Sequence, residues 1–332
     1  MTAWKLDRRD IRAFFILAIF FSMIVLVISL ALTSRVAKAE RVNRLLETGV
    51  CDRCDLDRVN LSESELVDAN LADASLRNVN LRNANLSGIN LSEAVLSGTD
   101  MTFADLTGAN LENSVLSGVS LTDAILVNAN LQGAYIGDAD LRRAVLNDAK
   151  LDDSILIRTS LQEAFLSGAN LQRADFDSAN LQSTNLVGAS LSRANLAKAN
   201  LSRSNLRDAD LRRADLRRAN LSSANLRNAN LRDVNLNEAN LSSAELTRTN
   251  LSQAFMRGAN LNRADLRRAD LSEATLPLVN LVGADLRGAN LTGANLRRVD
   301  LTDANLGNID LRVAKLCQTI LPSGTKVSRD CL

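Results

Sequence analysis

The chain has 332 residues, of which 46% are apolar but only 3% aromatic and two are proline, so any large core must be assembled from small aliphatic pieces. It contains no histidine, which removes the commonest general base, the commonest zinc ligand and the physiological pH switch together. With 39 basic against 38 acidic side chains the formal charge is +1, and no overall attraction to nucleic acid or acidic surfaces follows.

Residues 1–12 form a basic N-terminal segment. Residues 13–33 carry no charge and as a helix would rise about 31 Å, enough to cross a bilayer. This run predicts a transmembrane helix over 13–33. A buried core helix is the weaker reading, because no other helical pattern exists for it to meet. A cleaved signal peptide has small residues at Ala37 and Ala39, but the apolar run is long for a signal, and Arg35 and Lys38 sit between the run and that site. Lys5, Arg8, Arg9 and Arg12 on one side balance Arg35, Lys38, Arg41 and Arg44 on the other, so lysine and arginine bias leaves the orientation open. Residues 34–49 read as a short, charged helical stalk.

From Leu56 to Leu316 every fifth residue is apolar, giving 53 such positions, all leucine except Met101, Ile136, Phe176 and Met256. Two residues before each lies a small or β-branched residue, alanine in 36 cases, and the residue between is mostly Asn or Asp. The unit reads A-[DN]-L-x-x, as in Ala69-Asn70-Leu71 and Ala289-Asn290-Leu291. An α-helix would rotate successive leucines by about 140° and smear them over every face. A straight strand would send them alternately to opposite faces. Within a unit, however, Ala and Leu are two apart, as extended backbone requires if both point inward. The chain must then bend once per unit. Four bends of about 90° close a square coil of 20 residues, and coils stacked at about 4.8 Å satisfy each other's backbone groups.

Tandem A-[DN]-L-x-x arrays resemble the pentapeptide-repeat proteins, and the resemblance covers about 265 of the 332 residues. It implies an all-β solenoid, the right-handed quadrilateral β-helix, here over residues 50–321 in about 13 coils of roughly 60 Å total rise, with a C-terminal cap at 322–332. Family likeness says less about function, because one scaffold hosts many roles.

Cys51 and Cys54 sit at the first coil, while Cys317 and Cys331 flank the last coil and its Pro322-Ser323-Gly324 turn. One zinc ion needs its four ligands within about 2.3 Å, which pairs at opposite ends of such a coil forbid. End-capping disulfides, Cys51 with Cys54 and Cys317 with Cys331, and small buried thiols both remain open. The segments LLETGVCDRCDL and LCQTILPSGTKVSRDC also look like the entry and exit of membrane-anchored pentapeptide proteins from photosynthetic bacteria, which implies a single-pass protein of a bacterial inner or thylakoid membrane. Disulfides would put the coil on the periplasmic or lumenal side.

Residues 20 apart share a column. At the Asn/Asp position Val95, Val115, Tyr135 and Ile155 form one apolar column, and Ile125, Val145 and Phe165 form another on the opposite side. They read either as a ladder of branched side chains that sheets favour or as a docking surface for a protein partner or a second copy of the chain. Charge is polarised too: residues 55–200 carry 10 basic and 19 acidic groups, residues 201–316 carry 18 and 13. Arg207, Arg227, Arg267 and Arg287 share a column in the basic half, with Arg248 and Arg268 beside it, as a candidate anion or anionic-lipid ladder. The competing reading is a solvated face balanced by Asp208, Asp265 and Asp285. Interleaved aromatics for base stacking are missing.

Three function classes follow. A non-enzymatic, membrane-tethered structural or protein-interaction module needs only what is visible. DNA mimicry directed at a topoisomerase, known in some pentapeptide-repeat proteins, is opposed by the basic half and the apolar N-terminal run, so a nucleic-acid role is not expected. Catalysis by Asp152 with Asp153, or by Asp208 with Asp210, lacks a cleft to desolvate the carboxylates, and no catalytic residue, cofactor or metal is assigned. A fragment lacking residues 1–49 should be soluble and give a β-type circular dichroism spectrum; loss of folding would show that the N-terminal helix caps the first coil.

Overall fold

The computed structural model describes the backbone of residues 8–331 and the side chains of 19–29, 33 and 36–331. The chain divides into two units, Met1–Thr48 and Gly49–Leu332. The described part of the first is one helix, α1 (Arg8–Thr48), of 41 residues; of the expected basic segment, residues 1–7 lie outside the described residues. No Gly or Pro interrupts it before Gly49, which takes φ +67° and ends the helix. Inside the uncharged run, Ile19 to Ile28 present large apolar side chains on every side of the helix, all half or more exposed. Among the described residues no helix is long and apolar enough to cross a membrane. The described side chains of the run, 19–29, rise only about 16 Å of the ~30 Å required, and the rest of the 13–33 expectation lies largely outside them.

The second unit is built from 20-residue coils of four five-residue sides. Parallel bridges join each Asn/Asp-type residue to its equivalent one coil on, from Val50↔Asn70 through Val95↔Val115 to Asp285↔Asn305. At every corner the second outward residue adopts a left-handed backbone, as at Lys198 (φ 57°) and Arg213 (φ 60°), and the next Ala-type amide bonds back to the Leu carbonyl, as a type II turn requires. Glycine takes this position at Gly88, Gly98 and several others, yet most corners use Arg, Asp, Asn, Ser or Glu, whose left-handed cost of roughly 1–2 kcal/mol each must be offset by the stacked hydrogen bonds.

One side shows how every backbone donor is answered. Leu196 N donates to Asp215 O at 2.7 Å, Lys198 N to Arg217 O at 2.9 Å, Ala199 N to Leu196 O at 3.1 Å and Asn200 N to Ala179 O at 2.9 Å. The fifth amide, Ala197 N, has no backbone acceptor and donates to the Asn195 side-chain Oδ1 at 3.2 Å. The same bond recurs from Ser222 N to Asn220 and from Arg212 N to Asp210. This is the Asx arrangement, and it explains the Asn/Asp preference at that position. The Asn side chains also stack on one another: Asn220 Nδ2 donates to Asn200 Oδ1, Asn240 to Asn220 and Asn260 to Asn240, each at 3.2 Å.

The core is a column of leucines and alanines buried almost completely. Where Ser or Thr replaces the inward alanine, its hydroxyl donates to a carbonyl: Ser114 to Leu111 O at 2.6 Å within its own corner, Thr184 to Leu161 O at 2.8 Å across coils. Inward packing lapses near the C-terminus, where Leu306, Ile309 and Leu311 are only half-buried although the repeat predicts them inside. There the coil gives way to a 3-10 turn at Leu311–Val313, capped by the Asp310 side chain accepting from Arg312 N, so no regular coil covers these residues. The chain then closes with a hairpin of β1 (Thr319–Ile320) and β2 (Lys326–Val327), tied down by Arg329 N and Asp330 N donating to Leu316 O at 2.8 Å. Replacing Asn220 by Ala removes the acceptor for Ser222 N and two rungs of the Asn stack, and should cost about 1–3 kcal/mol in urea unfolding. Asn220→Asp keeps the acceptor and should cost less; equal losses would contradict the Asx assignment.

Candidate functional site

The expected apolar columns are present as continuous parallel ladders, Val95↔Val115↔Tyr135↔Ile155 on one side and Ile125↔Val145↔Phe165 on another. Within them Ile125, Tyr135, Ile155 and Phe165 are exposed, whereas Val95, Val115 and Val145 are half-buried. Each replaces the Asn or Asp that would accept the amide two residues on. In the first column the amides of Ser97, Ser117, Gly137 and Ile157 therefore meet no protein acceptor among the described residues. The Tyr135 ring folds over Gly137, where a Cβ would lie 2.8 Å from its hydroxyl oxygen, so any larger residue there would displace the ring. The result is a four-coil ridge of apolar side chains beside a line of open N–H donors.

The amides of Val127 and Asn147, in the second column, and those of Thr122, Asp152 and Gln162, after Ser120, Lys150 and Ser160, likewise meet no protein acceptor among the described residues. At three replaced positions the loss is repaired. Asp57 Oδ1 accepts from Arg77 N at 2.9 Å, beside Ser75; Asn147 Oδ1 accepts from Ser167 N at 3.1 Å, beside Phe165; and Asn237 Oδ1 accepts from Arg257 N at 2.7 Å, beside Phe255. Beside Thr275 the affected residue is Pro277, which has no N–H to satisfy. Phe255 is 51% exposed and shares the first column, but stands alone; so does Phe103, whose ring lies 5.8 Å from the Arg82 guanidinium carbon. Neither was singled out from sequence, because an isolated aromatic forms no run.

The arginine column does not present free cations. Arg267 is clamped on Asp265 at 2.8 and 2.7 Å and Arg287 on Asp285 at 2.9 and 2.6 Å, while Arg207 pairs with Asp208 at 3.0 Å and Arg227 with Glu245 at 3.1 Å. Each pair is local, one or two residues apart or on the next coil, so the column's charge is largely spent. Arg248 and Arg268, the neighbours named from sequence, make no ion pair among the described residues. The carboxylates weighed for catalysis are similarly engaged: Asp153 by Arg173, Asp210 by Arg212, and Asp152 by Gln132 and Asn170. Among the described residues no group of side chains could hold a metal ion. Disulfides join Cys51 to Cys54, with Cα atoms 5.4 Å apart, and Cys317 to Cys331, with Cα atoms 4.8 Å apart.

A four-sided coil with five residues per side and an Asx-satisfied corner defines a pentapeptide-repeat β-helix. The family model for pentapeptide repeats matches in overlapping segments from residues 54–92 to 280–316, and the chain belongs to that family, whose members fold as right-handed quadrilateral β-helices. Among solved structures it is similar to HetL of the cyanobacterium Nostoc sp. strain PCC 7120, a pentapeptide-repeat protein involved in regulating heterocyst differentiation. Identity there is 31%, over 86% of this chain and 98% of that one, with a TM-score of 0.36. It is also similar to Rfr23 of Cyanothece 51142, at 28% identity over 36% and 99% with a TM-score of 0.23. A third neighbour is QnrB1, a plasmid-mediated fluoroquinolone resistance protein, at 19% identity over 68% and 88% with a TM-score of 0.24. A search of the curated proteins found no match.

The Asp265 carboxyl is pulled from 3.8 to about 2, first by the Arg267 guanidinium, against partial burial, with help from the Arg267 amide and the Thr247 hydroxyl. A folded-state value below the unfolded one adds stability that is full above about pH 4 and is lost as pH falls through about 2. With the side chain 24% exposed, screening leaves roughly 1 kcal/mol. Asp265→Asn should lose that increment at pH 7 but converge with wild type near pH 2; parallel pH–stability curves would contradict it.

Proposed function

We propose that the protein is a non-enzymatic interaction module, tethered to a membrane by α1, whose β-helix presents the Val95–Val115–Tyr135–Ile155 ridge to a protein partner. The observation that carries this reading is the ridge itself. Four successive coils give up their Asx acceptor for an apolar residue in one column, a longer apolar run than the three of Ile125, Val145 and Phe165, and none of the four is repaired. Such a departure weakens the coil's own hydrogen bonding and leaves both apolar surface and donors available, which is the pattern of a surface kept for contact.

Tethering is supported by the uncharged run 13–33 and by the all-round apolar exposure of Ile19 to Ile28, since a helix apolar on every side has no aqueous face. Placement of the coil in the periplasm or lumen is supported by the two disulfides, which persist in oxidising compartments. The non-enzymatic reading rests on carboxylates held in ion pairs and hydrogen bonds at a convex surface and on the absence of histidine from the sequence. Proximity labelling from the tagged full-length chain in its native membrane tests the proposal. The double variant Tyr135→Asp, Ile155→Asp should lose a neighbour that wild type labels while keeping its melting temperature within about 3 °C. An unchanged neighbour set in the folded variant would refute the ridge as the contact surface.

A further inference from the structure

Stacked side chains one coil apart are in many places complementary. Arg143 closes on Asp123 at 2.7 and 2.6 Å, and Arg158 on Asp138 at 2.7 Å through two nitrogens. The column 153, 173, 193, 213, 233 departs from this, reading Asp, Arg, Arg, Arg, Asp. All five residues share the left-handed corner conformation, with φ between 59° and 62°, so their side chains leave the same edge of the coil. The outer arginines turn to the terminal acids: Arg173 Nε donates to Asp153 at 2.6 Å, and Arg213 Nε lies 3.6 Å from Asp233. Arg193, between them, contacts no carboxylate among the described residues. Like charges stacked at the coil spacing of about 4.8 Å repel, so this arrangement costs the protein stability unless an anion joins it.

The neighbouring position adds two more guanidinium groups. Arg212 is held by Asp210 at 2.6 Å, and Arg232 lies 3.6 Å from the same Asp233 that faces Arg213. Together these side chains line a groove of about 620 Å³. Five arginines against Asp153, Asp210 and Asp233 leave two positive charges uncompensated. The adjoining groove, with Lys198, Arg217, Arg218 and Arg257 against Asp177, Glu238 and the Arg217 partner Asp215, leaves only one.

We propose that the Arg193 groove binds a phosphate dianion, inorganic phosphate or a phosphate monoester, on the Arg193 guanidinium with Arg212 and Arg213 beside it. Guanidinium forks match the tetrahedral oxygens of phosphate, and the two uncompensated charges match a dianion better than a carboxylate or a phosphodiester. No aromatic lines the groove, so stacked bases of a nucleic acid find no platform there.

Calorimetric titration of the full-length chain in neutral detergent, at low salt, tests this with inorganic phosphate and with dimethyl phosphate as a model of a lipid headgroup diester. Phosphate should saturate a single site. Arg193→Gln should weaken it by about tenfold or more, Asp233→Asn should tighten it severalfold, and Arg267→Gln should stay within about twofold of wild type. The proposal is overturned by absence of saturable phosphate binding, by Arg193→Gln behaving as wild type, by Arg267→Gln losing as much as Arg193→Gln, or by dimethyl phosphate binding as tightly as phosphate. Arg193 is exposed and makes no ion pair, so its variant should fold; an unchanged circular dichroism spectrum checks that.

Discussion

A chain that turns a corner every five residues leaves one backbone N–H per corner that neither neighbouring coil accepts, and the structure depends on answering it. The coils stack through the other inter-coil bonds, but the amide just after each leucine points out of that scheme. An Asn or Asp two residues earlier reaches it with Oδ1, as Asn195 does for Ala197 and Asp210 does for Arg212. Burying or stranding such a donor costs about 1–3 kcal/mol, and with one per side the sum over the coil would exceed the net stability of an ordinary domain. The polar letter of the repeat is therefore as structural as the leucine.

That constraint divides the molecule into positions with little freedom and positions with much. Inward residues are fixed by volume, and the Asx residue by the corner amide, so variation concentrates in the two outward residues and in the 17 of 53 sides between residues 55 and 315 whose Asx residue is replaced. Where replacement is repaired from the coil below, by Asp57, Asn147 or Asn237, or sidestepped with Pro277, the surface remains hydrogen-bonded. Along Val95 to Ile155 it is not. The functional reading rests on the conjunction of open amides with four stacked apolar side chains rather than on either alone: Val127 and Asn147 also leave their amides open, and isolated residues such as Phe103 and Phe255 are also exposed.

Much of this was legible in the sequence, because a period of five admits neither helix nor strand, and a modulus of 20 then assigns every outward residue to a column. The ladders Val95 to Ile155 and Ile125 to Phe165 stand where that arithmetic put them. The arginines were harder. Arg207, Arg227, Arg267 and Arg287 form a conspicuous column, but Arg267 and Arg287 are neutralised by an acid two residues before them, a distance that the corner folds into contact. Arg193 was overlooked because its significance lies in what stacks above and below it, Arg173 and Arg213, and in acids that serve those two instead. The end of the coil was legible only in part: leucines continue on the five-residue beat through Leu316, yet Leu306 and Leu311 lack a covering coil, and capping side chains take over from the repeat.

Amide hydrogen exchange resolved by residue measures the corner bond directly. If the Asx side chain is what holds the corner, the amides of Ala197, Ser202, Ser222 and Asn262 should exchange markedly more slowly than those of Ser97, Ser117 and Ile157, which lie at the same place in the turn. Equal protection at both sets would show that the corners are held by something else, and the assignment of the ridge as an open surface would fall with it.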